Sequence, residues 1–434
     1  MREHSPAIAA SNTPQPMLDK YGMPIRSRRN PSGPVSTPAE QAAVFGIFVT
    51  LAISTTFLQK FGFGPTPDTI VPLVLPIALL TIAIGVVLAK PIFQPVRVAL
   101  YLLFVIVSGA TTAAFVANYS AASFLLYAAL YIPLIVTFPT TEKTYRRCMR
   151  FYSNMALVIV GIEMLQHATQ LTIGWRAWPN LNTLLPSTML IPNYNYIQPI
   201  VWNIPYMKPN AIVFLEVSYL SQYLAMAFIV EAVLFQRMWR LVVFAGAILA
   251  TFAGTGPLLL LLTAPILIDP KRIGRGVIII GVLLAVGLVA SELGWFDLIA
   301  HRLNEFQRGG TSGNMRFVEP FNRIMQAIRQ PEGVYSGIGP GMIEKAGQFQ
   351  WWPITKAIVE YGLIAGLLFY AFFTWTMFDR PPNMRIAICV FVWFGIEGSL
   401  LTAINPISCM MFSSMFLLNR HSSARPAAFP GRAR

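Results

Sequence analysis

Residues 237–275 read RMWRLVVFAGAILATFAGTGPLLLLLTAPILIDPKRIGR. The apolar core of this stretch, 241–268, is longer than the roughly 20 residues that cross a bilayer once, and it is broken by Ala253-Gly254-Thr255-Gly256-Pro257. Arg237 and Arg240 precede it, and Lys271, Arg272 and Arg275 follow it. Basic residues flanking membrane spans collect on the cytosolic side, so both ends belong on one side. The run therefore has to be a hairpin of two short helices.

The rest of the chain repeats this pattern. Of 434 residues, 55% are hydrophobic and 12% charged, with mean hydropathy +0.58. Apolar runs fall near 41–58, 69–89, 97–116, 120–138, 151–170, 211–235, 276–291, 353–378 and 386–419, the last broken at Asn405-Pro406. They are too long for strands, and the two-residue alternation of a membrane barrel is missing. The fold class expected is all-α and polytopic, with about twelve transmembrane helices, over residues 41–420. Residues 1–40 and 421–434 read as cytosolic tails, the first too rich in Pro, Ser and Asn to fold alone and without the apolar core of a cleavable signal.

Lys90, Arg97, the cluster Glu142-Lys143-Arg146-Arg147-Arg150, Arg380 and Arg385 all fall on the side of the termini. Loops 171–210 and 292–352 then share the external face. The net charge of +14 follows this topology, so anionic membrane lipids and phosphate-bearing substrates are the expected partners and nucleic acid is not. Cys148, Cys389 and Cys409 have no metal-like spacing and the four histidines are dispersed; neither a disulfide framework nor a metal site is expected, and no cofactor.

The first external loop interleaves Trp175, Trp178, Trp202, Tyr194, Tyr196 and Tyr206 with Asn180, Asn182, Asn193, Asn195, Gln198 and Asn203. Rings that stack on pyranose faces beside amides that bond hydroxyls suit a carbohydrate. The second loop carries arginines and glycines before Trp352, with Val318, Phe321, Ile324, Met325 and Ile328 at helical spacing, an amphipathic surface helix. Glu216 reads as an ionisable group inside a span, where such groups usually serve function.

Two motifs on this face carry a family resemblance. Lys208-Pro-Asn-Ala-Ile-Val-Phe-Leu-Glu216-Val-Ser218 opens a span, and Ser312-Gly313-Asn-Met-Arg316 leads into the amphipathic helix, followed by Ser336-Gly337-Ile-Gly339-Pro340-Gly341 and Glu360-Tyr-Gly362-Leu. Together they resemble the Wzy-type polysaccharide polymerases and their relatives the O-antigen ligases, over about residues 200 to 370. The resemblance implies a GT-C-like glycosyltransferase of the bacterial inner membrane, acting on the periplasmic face without metal or nucleotide sugar. Its substrates would be an undecaprenyl-diphosphate-linked oligosaccharide and the growing glycan, and its pathway would supply a Wzx-type flippase and a chain-length co-polymerase as partners. A ligase acting on another acceptor, and a lipid-linked glycan transporter, are the alternatives.

By motif position, Arg316 is the expected clamp for the departing diphosphate, Lys208 the second positive charge, and Glu216 a base or an orienting group for Lys208. Arg302, Arg308, Arg323, Tyr219, Gly337 and Gly339 are the expected substrate-binding residues, the glycines through backbone N–H groups. Asn314 and Met315 lengthen the second motif before Arg316, and Trp351 stands where the ligases commonly carry a histidine. That replacement favours polymerase over ligase.

Overall fold

In a computed structural model, the described residues are 36–64, 70–192, 194, 197–200, 205–268, 318–327, 329–345, 351–397 and 399–418, with isolated positions between 274 and 314. The expected span at 276–291, residues 1–35 and the tail 421–434 lie outside them.

The chain is mostly helical. Helices α1 (Pro38–Phe57), α2 (Val74–Ala89), α3 (Pro95–Phe115), α4 (Ala121–Tyr131), α5 (Glu142–Thr172), the short α6 (Leu181–Leu184), α7 (Val217–Val230), α8 (Met238–Ala250) and α9 (Thr255–Leu267) come first. After the second loop come α10 (Glu319–Ala327), α11 (Pro331–Tyr335), α12 (Met342–Lys345), α13 (Pro353–Tyr361), α14 (Leu363–Phe378), α15 (Met384–Glu397) and α16 (Ile404–Cys409). Among the described residues, four helical stretches, 38–57, 95–115, 142–172 and 217–235, are long and apolar enough to cross a membrane, and six shorter apolar helices accompany them. Large aliphatics face outward, among them Leu80, Val87, Ile106, Leu125, Leu165 and Leu261. Apolar surface of that extent is a lipid-facing belt.

Contacts at the helix ends sort the bundle into two faces. At the basic face, Thr37 and Glu40 form a capping box on α1, and Glu40 pairs with Lys90 at the end of α2, 2.9 Å apart. Gln41 donates to the Pro139 carbonyl and accepts from Thr141 N, tying α1 to the start of α5. Arg97 is buried there, donating to the carbonyls of Ser414 and Asp379. Strands β1 (Ile92–Phe93), β2 (Val136–Thr140) and β3 (Phe416–Leu418) form a small sheet at this end, β2 pairing antiparallel with β1 and parallel with β3.

The hairpin expected of the 241–268 run is present. Arg237 and Arg240 hold the start of α8 to Glu231 at the basic face. Thr255 Oγ1 donates to the Ser218 carbonyl at the head of α7, and Arg385 at the basic face donates to the Ile268 carbonyl just past α9. Helix α8 thus rises, turns at 251–254 and returns as α9. Gly256 sits at that turn because a side chain there would meet the Ser221 backbone within 2.6 Å.

Three boundaries differ from the sequence expectation. The 386–419 run breaks before Ala403 rather than at Asn405-Pro406: Pro406 lies in the first turn of α16, where a missing N–H costs no helical hydrogen bond. The apolar run expected at 151–170 belongs to a helix that begins earlier, α5 taking the basic cluster 142–150 into its first turns, because Thr141 caps the helix there through Thr144 N. Helix α7 starts at Val217 rather than near 211, leaving 211–216 as non-helical backbone.

Candidate functional site

That non-helical approach to α7 is where the loop face concentrates its chemistry. Ala211 and Ile212 both adopt positive φ, +47° and +64°, a region that costs non-glycine residues about 1–3 kcal/mol each. Polar side chains from α5, from the turn after α1 and from the segment itself hold them there. Gln166 Oε1 accepts from the amides of Asn210 and Ala211 at 3.1 and 3.0 Å. Asn210 Oδ1 accepts from Ile212 N, and Gln59 Oε1 accepts from Leu215 N. Gln170 accepts from Met207 N and donates to its carbonyl. His167 bridges Tyr206 Oη at 2.8 Å and the Ala250 carbonyl at 3.0 Å.

Gln166, His167 and Gln170 share one face of α5, and Glu163, a turn deeper, continues it. Both carboxylate oxygens of Glu163 are buried without a hydrogen-bond partner among the described residues. Such a face is expensive in a membrane helix and persists because the backbone of 206–211 needs those donors and acceptors.

Above this face lies a cavity of about 400 Å³, lined by Lys60, Lys208, Arg176, Gln166, Gln170 and Asn210, with Trp175, Trp178 and Asn180 on its wall. Among the described lining residues three are cations and none is acidic. Lys208 is 8% exposed and Lys60 2%. The turn after α1 fixes Lys60: its carbonyl accepts from Ile191 N at 2.9 Å, and Phe61 bridges to Leu190. Burial pushes the Lys60 ammonium down to about 7. Arg176 lies over the Trp175 ring at 5.5 Å, and the indole N–H of Trp178 has no acceptor among the described residues. A wall of cations and donors, rimmed by indoles and amides, suits an anion joined to a sugar.

The structure gathers some of the expected residues and separates others. Lys208 lines the cavity; Glu216 and Tyr219 do not. Glu216 precedes α7 as its N-cap residue and accepts from Ser218 Oγ at 3.2 Å, so it stands at the mouth of the helix rather than a turn inside it. Tyr219 packs edge-on to Tyr194 and lines a separate small internal void with Thr55, Gln59 and Trp393. Arg323 is exposed and pairs with Glu319 one turn back, at 3.6 Å. Arg302, Arg308 and Arg316 lie outside the described residues.

Gly337 and Gly339 are placed differently from the expectation. The amides of Ile338 and Gly339 donate to the carbonyls of Val359 and Glu360, and that of Gly337 to Glu332, which leaves them no donor for a phosphate. Both glycines have positive φ, and a Cβ on Gly337 would meet the Glu360 carbonyl carbon and Gly362 N at 2.7 Å. They let this turn dock against the end of α13, where buried Glu360 accepts from Ile343 N. Gly337→Ala is therefore expected to lower stability by about 2 kcal/mol or more, seen as a lower melting temperature in detergent; an unchanged melting temperature would refute this packing role.

Helix α10 is amphipathic as expected. It packs through Ile324 against Ile343, Trp351 and Val359, while Phe321 and Met325 stay exposed and Phe321 meets Trp352 edge-on at 5.5 Å. Trp351 is a core residue of this unit.

Comparison with family models, curated proteins and solved structures returned no match.

Lys60 and the supporting Gln166 and Gln170 were missed in the sequence. A single lysine closing an apolar run reads as an interface anchor, and glutamines inside a span carry no motif. The one available signal was the spacing of Glu163, Gln166, His167 and Gln170, which places four polar groups on one helix face.

Proposed function

We propose that this chain is a membrane glycosyltransferase that joins undecaprenyl-diphosphate-linked oligosaccharide repeats into a polymer at its loop face. The observation that carries the reading is the cavity in which Lys208 lies with Lys60 and Arg176 beside indole and amide side chains. Breaking a sugar–diphosphate bond leaves a pyrophosphate that gains negative charge as it departs, and fixed cations in a desolvated wall stabilise that charge as it develops. Trp175, Trp178 and Asn180 would hold the sugar next to it. Arg316, by its motif position, is the further cation proposed to clamp the diphosphate.

In this reading the basic face is cytosolic, the loop face is periplasmic, the membrane is the bacterial inner membrane, and the region 276–291 completes about twelve spans of a GT-C-like bundle. The test is turnover by the purified protein in nanodiscs supplied with a synthetic lipid-diphosphate-linked repeat. A ladder of products is expected from the unaltered chain, and no ladder from Arg316→Ala while monomeric lipid-linked repeat persists. Binding without turnover would indicate a carrier and overturn the enzyme reading; full activity of Arg316→Ala would remove that residue.

A further inference from the structure

Helix α5 carries one exposed stripe from the basic face upward. Lys143, Arg147, Arg150, Asn154, Val158 and Leu165 are all exposed, and their three-, four- and seven-residue spacings put them on one side of the helix. The first three are cations, and Val158 and Leu165 belong to the lipid-facing belt. Helix α8 packs beside α5 and repeats the order: Arg237 precedes it, Trp239 is exposed in its first turn, and Val242 is exposed one turn further. The two stripes leave the membrane at the same end.

Segments 142–150 and 231–240 together hold six cations and two carboxylates. Glu142 is taken by Arg146, and Glu231 by Arg237 and Arg240. Among the described residues Arg147 and Arg150 form no ion pair; each lies over a ring instead, Arg147 at 3.9 Å from the Phe45 centroid and Arg150 at 5.6 Å from that of Phe235. Arg237 lies over the same Phe235 ring at 4.8 Å, and its Nη1 takes no part in the bonds to Glu231. Two guanidinium groups therefore meet at one ring. Stacking holds a guanidinium in place while its N–H edge stays able to fork onto two oxygens of a phosphate, and an anion there would offset the repulsion between the two.

We propose that this α5–α8 corner binds the phosphate headgroup of an anionic phospholipid in the leaflet at the basic face, with Arg150 as the principal contact and Arg147 and Arg237 flanking it. The stripe beneath the cations favours a lipid over a soluble anion. Acyl chains would lie along Val158 and Val242, where a soluble anion gains nothing, and exposed Trp239 stands at headgroup depth. The corner is on the opposite face from the cavity, so it stands whether or not the cavity takes a glycan donor.

The experiment uses the full chain in a non-ionic detergent and a phosphatidylglycerol with a photoreactive acyl chain, the matched phosphatidylcholine serving as reference. Crosslinks from the anionic lipid are expected on peptides covering 142–165 and 238–246, and native mass spectrometry should retain it in preference to the zwitterionic one. Its affinity is expected to fall about fivefold in Arg150→Gln and about twenty-five-fold when Arg147→Gln is added, the factor that each basic side chain contributes near an anionic surface. Arg147→Lys with Arg150→Lys should keep most of it, since the charge remains. Equal retention of the two lipids, or crosslinks confined to other helices, would overturn the site from the unaltered chain alone, however the variants fold. So would unaltered affinity in the folded double glutamine variant. Displacement of the lipid by an equal concentration of glycerol phosphate would mark a soluble-anion site and overturn the lipid assignment.

Discussion

Replacing Lys208 with methionine is expected to reduce product formation by at least a hundredfold while the protein still purifies as a folded monodisperse species. The methionine keeps the length of the stem and deletes only the charge. Lys208 is 8% exposed in the cavity wall, so its ammonium would act on the leaving diphosphate with little solvent screening. Removing one preorganised donor from such a site typically costs 10²–10³ in turnover. The backbone of 207–211 should hold, since Gln170 and Gln166 bind its amides and Met207's carbonyl rather than the Lys208 side chain. Lys208→Arg keeps the charge in a different shape and should retain part of the activity. Wild-type rates from Lys208→Met, measured by the product ladder, would remove the cavity from the chemistry.

The second large effect lies at the other face and concerns stability. Glu231 is fully buried in a π-helical turn that extends α7. Its carboxylate accepts from both nitrogens of Arg237 that face it, from Arg240 Nη1 at 3.4 Å, and from Ser153 Oγ. Arg240 Nη1 also donates to Ser153 Oγ at 2.9 Å, joining α5, α7 and α8 in one network. Glu231→Ala leaves two guanidinium groups facing each other with no anion, and removing one partner of a buried pair costs about 3–5 kcal/mol. The lower end applies here, because Arg237 is 30% exposed. A strong loss of thermal stability in detergent is expected, with substantial recovery in Glu231→Leu combined with Arg237→Leu and Arg240→Met, which takes all three charges away. Unchanged melting of Glu231→Ala would show that the network does not fasten the bundle.

These two residues differ in how visible they were. Lys208 stands out as a cation placed just before a span, and its motif position pointed to the same role. Glu231 carried no such mark: it follows an unbroken apolar run, and only the return of α8 brings Arg237 and Arg240 back onto it. Glu216 shows the opposite failure. Hydropathy counted it inside a span, but the strained turn at Ala211 and Ile212 delays the helix to Val217, a backbone choice enforced by Gln166 from α5 and Gln59 from the turn after α1.

What the amino-acid order determined by itself was the one-dimensional physics: where apolar runs exceed a bilayer's thickness, where Gly and Pro interrupt them, and on which ends the arginines gather. Those terms depend on neighbours within a few residues, so the 241–268 hairpin and the amphipathic 319–327 helix could be read directly. Which cations share a cavity depended on side chains 60, 176 and 208, contributed by three separate segments, and on glutamines from α5 bonding a loop some forty residues further along. Such meetings are set by helix packing and by the need of every backbone donor in a membrane to find an acceptor, and those conditions exist only once the bundle is assembled.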